Sequence, residues 1–84
     1  MTKKEIDFIV NLNLKEIQMN NEIVEEKTES HSINLKLMEQ TKEYCAENTE
    51  LLSTLSEDIG IDVSNLQKET DNCLAKAIEL EKTF

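Results

Sequence analysis

The sequence predicts an all-α fold, a long coiled-coil-like helix or helical hairpin that packs in a helical bundle, and three observations carry that reading. The chain of 84 residues has no Pro and one Gly, Gly60, so it lacks the residues that build frequent tight turns. Charged residues make up 32% of it and only three side chains are aromatic, Phe8, Tyr44 and Phe84, a composition that suits long helices. Every seventh residue from Val10 reads Val10, Ile17, Val24, His31, Met38, Cys45, Leu52, Ile59, Leu66, Cys73, Leu80, and His31 alone among them is not apolar. A sustained seven-residue apolar period is what a supercoiled helix seam requires.

The companion column, Leu14, Asn21, Thr28, Leu35, Lys42, Thr49, Ser56, Val63, Thr70, Ala77 and Phe84, is mixed. Polar residues there set register and partner choice at a cost in stability. Over residues 6–24 apolar side chains occur on several faces, which predicts burial in a bundle of three or more helices. Further apolar residues lie off the seam, with Ile9, Ile23, Leu37, Tyr44 and Leu51 on one flank and Leu12, Met19, Ile33 and Ile61 nearly opposite. The column Lys15, Glu22, Glu29, Lys36, Glu43, Glu50, Glu57 is wholly charged and predicts the wet face.

The chain reads as one helical coiled-coil segment, 1–84, with sub-elements 4–58 and 64–82. Ser30, His31 and Ser32 are poor helix formers and mark a kink near residue 30. Gly60 suits a helix C-cap, and Ser64 with Gln67 has the spacing of a capping box. The apolar period nevertheless passes through Gly60 in phase, which favours one continuous helix, ~120 Å long at 1.5 Å per residue. A rival pattern exists: alternation over 6–14, 33–38 and 59–63 has the period of short strands and would make a small α/β domain.

The net charge of −9, from 9 basic and 18 acidic residues, disfavours nucleic acid and anionic membrane surfaces as partners. No apolar run reaches the length of a membrane span. Asp7, Asn11 and Asn13 interrupt the first apolar stretch, so it is read as mature protein rather than a secretory signal. The cytoplasm or nucleus is the expected location.

Catalytic, cofactor and metal sites are not expected. His31, the sole histidine, reads as a seam residue; an imidazole packed there would loosen the seam on protonation. Cys45 and Cys73 have neither the number for a disulfide framework nor the spacing of a zinc site, and read as small core residues. If the chain folds back at Gly60, the two are equidistant from the turn and come together. The carboxylates are dispersed along helix faces without Glu-x-x-His pairs or a calcium-loop pattern.

Asn13, Asn20, Asn21, Asn34 and Asn48 lie beside the seam, either buried as pairing determinants or simply exposed. The expected role is a non-enzymatic structural or adaptor subunit that binds protein partners, itself or others, through its helices. Its interface residues are Phe8, Val10, Leu12, Leu14, Ile17, Val24, His31, Met38, Cys45, Leu52, Ile59, Leu66 and Leu80. The alternative is a small acidic helical regulator or inhibitor that covers a basic protein surface.

Overall fold

Thr2 begins the first helix by a reciprocal cap. Its hydroxyl accepts the Glu5 N–H and the Glu5 carboxylate accepts the Thr2 N–H, both at 3.2 Å, so two otherwise orphaned donors are satisfied. The Thr2 N–H and hydroxyl hold the Glu5 carboxyl below its ordinary range. Helix α1 (Lys3–Glu26) ends at Lys27, which adopts the left-handed conformation at φ 56° while its N–H reaches Val24 O at 3.2 Å. Ser30 caps α2 (His31–Thr54) through the Ile33 N–H. A π-helical turn (Leu55–Ile59) and left-handed Gly60 at φ 75° end that segment, and α3 (Ser64–Glu81) follows. This computed structural model describes residues 2–83.

The expected capping box at Ser64 and Gln67 does not form. Instead Asp62 accepts both the backbone N–H and the hydroxyl of Ser64, and these bonds hold the Asp62 carboxyl below its ordinary range. Gln67 donates to Asp71 and Thr49.

The helices run up, down and up. Asn13 meets Asn48 and Asn20 meets Thr41, so α1 and α2 are antiparallel. Gln67 reaches Thr49 and Lys42 reaches Glu81, so α2 and α3 are antiparallel too. Gln18 with Glu69 and Asn21 with Cys73 then run parallel between α1 and α3. The continuous helix is therefore corrected, and the kink expected near residue 30 of the 4–58 element is a full reversal: the chain turns back at 27–30 and again at 60–63, and its extents are 42 × 19 × 15 Å. No strand occurs among the described residues, which removes the α/β reading.

Seam residues from the separate helices face one core. Ile6, Val10, Leu14, Leu52 and Leu55 form one apolar cluster, with half-buried Leu66 packed against it. Val24, Met38 and Ala77 form another, joined by Leu80. Each large aliphatic side chain fully buried contributes about 1.5–3 kcal/mol relative to exposure. Two seam residues are exposed because they fall at the reversals: His31 opens α2 and Ile59 closes the π-helical turn. His31 thus stands outside the core, and the seam-loosening role expected for it is withdrawn. Phe84 lies outside the described residues.

Candidate functional site

Two features stand out once the bundle is assembled: a polar zone inside it and an apolar stripe outside it. All five seam-adjacent asparagines are buried. The antiparallel register of α1 and α2 creates this zone, because a step of seven on each helix moves from the Asn13–Asn48 layer to the Asn20–Thr41 layer. The same column continues to Ile6 and Leu55, both in one apolar cluster, so the polar run has an apolar end.

The amide of Asn13 donates to Asn48 Oδ1 at 3.0 Å and to Glu47 Oε1 at 2.7 Å, while Asn48 Nδ2 reaches Val10 O at 3.3 Å. Asn20 Nδ2 is shared among Gln40 Oε1, Thr41 Oγ1 and Leu37 O at 3.1, 3.3 and 3.4 Å. Asn21 Nδ2 reaches Cys73 O at 3.3 Å. Asn21 Oδ1 and Asn34 Oδ1 are buried with no hydrogen-bond partner among the described residues, each an energetic cost to the fold. Such a core trades apolar stability for a defined pairing of helices.

The two thiols lie on facing helices and are free. Burial, then the charges of Cys73 and Asp71, push the Cys45 thiol from 9.0 up to about 11. Burial, then Glu69, raises the Cys73 thiol, against a smaller opposing influence of Lys76. Both are therefore protonated at neutral pH and poor nucleophiles. No group of three or more His, Cys, Asp or Glu side chains among the described residues could hold a metal ion. None of the helices is long and apolar enough to cross a membrane.

Outside, α1 is apolar on the side turned away from its own core. At roughly 100° per residue, Phe8, Leu12, Lys15 and Met19 fall within an arc of about 60° centred opposite Ile6, Val10 and Ile17. Phe8 is 68% exposed, Met19 54% and Leu12 47%, whereas buried positions are where such side chains normally gain stability. Shallow grooves flank Phe8, one edged by Lys4, Asp7, Asn11, Leu12 and Lys15, the other by Lys4, Glu5 and Ile9. Lys3 pairs with Asp7 at 3.2 Å. Other ion pairs tie α3 to its neighbours, Lys42 to Glu81 and Lys76 to Glu25, each at 2.7 Å. The Glu25 hydrogen bond and charge raise the Lys76 amine.

The expected interface residues thus separate. Val10, Leu14, Ile17, Val24, Met38, Cys45 and Leu52 are buried in the chain's own core, and Leu66 and Leu80 are half-buried there. Phe8, Leu12, His31 and Ile59 are exposed, and of these only Phe8 and Leu12 share one face. Met19, which the sequence places with Leu12 nearly opposite the seam, completes that face together with Lys4 and Lys15. The usable signal is the spacing Lys4, Phe8, Leu12, Lys15, Met19, in which steps of four and three keep one side of a helix. The fully charged column from Lys15 to Glu57 is exposed along its whole length, as its composition predicts. Compared with known proteins, the chain matches no family model, no curated protein and no solved structure.

Proposed function

We propose that the protein is a non-enzymatic structural or adaptor subunit of the cytoplasm or nucleus that joins protein partners by helix packing. The observation that supports this reading is the outer face of α1. A bundle with a closed core has no internal use for Phe8, Leu12 and Met19 on the opposite side of the same helix. Contiguous exposed apolar side chains rimmed by polar ones mark association surfaces. An amphipathic helix laid along the stripe would bury them, anchored by Phe8.

A photoreactive amino acid placed at position 12, compared with one at position 50 on the charged face, tests the proposal in cells. A polypeptide crosslinked at 12 and not at 50, whether the same chain or another, supports it; absence of any polypeptide crosslinked at 12 overturns it.

A second reading draws on the charge. Glu22, Glu29, Glu43, Glu50 and Glu57 are all exposed on a chain of net charge −9, which favours a regulator that covers a basic protein surface. Crosslinking confined to position 50 and abolished by salt selects it, because screening weakens such contacts.

A further inference from the structure

Apart from Glu5 of the capping box, the terminal charges of α1 run against its own dipole. Lys3 and Lys4 stand in the first turn, while Glu22, Glu25 and Glu26 stand at the other end with no basic residue in the last turn. Helices favour the opposite arrangement, with acids at the N-terminus and bases at the C-terminus. Glu25 is answered by Lys76 of α3 at 2.7 Å. Lys4, Lys15, Glu22 and Glu26 have no ion-pair partner among the described residues, and all four are exposed.

These four residues lie on or beside the apolar stripe, which reads in order Lys4, Phe8, Leu12, Lys15, Met19, Glu22, Glu26. Two bases and two acids balance along it, and with exposed Glu5 at its edge it carries about one negative charge, whereas the chain as a whole carries −9. It is therefore a face on which two copies can meet with little repulsion. The order is also complementary to its own reversal. A dyad between Leu12 and Lys15 sets Phe8 on Met19 of the second copy, Leu12 against the methylenes of Lys15, and Lys4 beside Glu22 and Glu26. Aromatic–thioether contact and burial of a lysine stem against leucine are both favourable. A parallel pair would set Lys4 on Lys4 and Glu22 on Glu22.

We propose that the outer face of α1 pairs with the same face of a second copy, antiparallel about a dyad between Leu12 and Lys15. This rests on the adaptor reading and names its partner. Self-pairing through one isologous patch closes as a dimer, and the lysine-bearing end of each helix supplies the cation that the acid-bearing end of its neighbour lacks.

Sedimentation equilibrium of the purified full chain, from micromolar to near-millimolar concentration, tests the pairing. The wild type is expected to dimerise, and Phe8→Ser to raise the dimer Kd by about 30-fold or more, as loss of a central aromatic anchor does. Lys4→Glu alone and Glu22→Lys/Glu26→Lys alone should each raise it about 3- to 10-fold, the dyad doubling each ion pair. The triple variant Lys4→Glu/Glu22→Lys/Glu26→Lys should return it to near the wild-type value.

Both reversals improve the fit of charge to the α1 dipole, so a circular-dichroism melt no lower than wild type separates lost pairing from lost folding. A wild type that stays monomeric, a dimer indifferent to Phe8→Ser, or a triple variant that is not rescued each overturns the antiparallel self-pair. Crosslinking of a different protein at position 12 would then leave the adaptor reading standing, so the two fail separately.

Discussion

Asn13 and Asn48 meet amide to amide across α1 and α2 at 3.0 Å, and both are buried. Each has a further acceptor, Glu47 for Asn13 and the Val10 carbonyl for Asn48. The pair fixes the register of the two helices, because a slip of one heptad would set an amide against aliphatic side chains of the Ile6–Leu55 end.

Removing one partner should cost more than removing both. Asn48→Leu leaves the Asn13 amide short of its buried acceptor and is expected to destabilise by about 2–3 kcal/mol. In Asn13→Leu/Asn48→Leu the polar groups vanish together, and urea unfolding should show much of that loss recovered, a coupling on the order of 1–2 kcal/mol. Additive losses would show that the two amides do not act as a pair.

The left-handed positions at the two reversals predict substitutions of opposite sign. Lys27 pays a side-chain penalty at φ 56°, so Lys27→Gly should stabilise the bundle by about 0.5–1 kcal/mol. A Cβ at Gly60 would meet nothing within 4 Å, yet φ is +75°, so Gly60→Ala should destabilise by about 1 kcal/mol for conformational reasons alone. Thermal melts resolve both, since 1 kcal/mol shifts Tm by roughly 4–8 °C in a domain of this size.

Cys45 gives stability an alkaline limit. Its folded-state pKa is raised from 9.0 to about 11, so between those values the unfolded chain has lost the thiol proton while the native chain keeps it. The native state then binds more protons and stability falls as pH rises. The contribution is intact below pH 9.0 and declines toward pH 11, by about 2–3 kcal/mol in all. Chemical denaturation across that range should show the decline in the wild type and a shallower one in Cys45→Ala.

Much of this fold is legible in the sequence, and the part that is not has a definite cause. Helix content, the charged outer column and the buried seam positions Val10, Ile17 and Val24 follow from composition and period, whereas Phe8, Leu12 and Met19 of the 6–24 segment expected to be buried are exposed. The reversal at 27–30 does not, because an antiparallel return through four residues brings Met38 back to the core in the same phase that a straight helix would give. His31, the one polar seam member, marked that break, as Gly60 marked the next. The caps at Thr2 with Glu5 and at Ser30 were missed, Ser30 having been read only as a poor helix former. The asparagines could be placed beside the seam but not inside the core, since a slight rotation of the helix decides between the two. Phe8 and Leu12 were singled out in the sequence, and the structure leaves both exposed on one face of α1. Met19 was already grouped with Leu12 opposite the seam, whereas the opposed charges at the two ends of α1 acquire meaning only once the other side of α1 is seen to be full.

The three helices are not held equally. α1 and α2 each bury a long row of side chains, whereas α3 fully buries only Thr70 and Ala77. The energy that separates α3 from the rest is therefore a small share of the whole, and subglobal opening should begin there. Amides of α3 are expected to exchange with solvent deuterium ahead of those around Val10 and Leu52. With α3 swung out, Cys45 loses one of the walls that raise its pKa, so the rate at which a thiol reagent reaches it becomes a clock for that motion. Strengthening α3 at its small buried positions would slow the clock, and cutting its tethers at Lys42–Glu81 or Glu25–Lys76 would speed it.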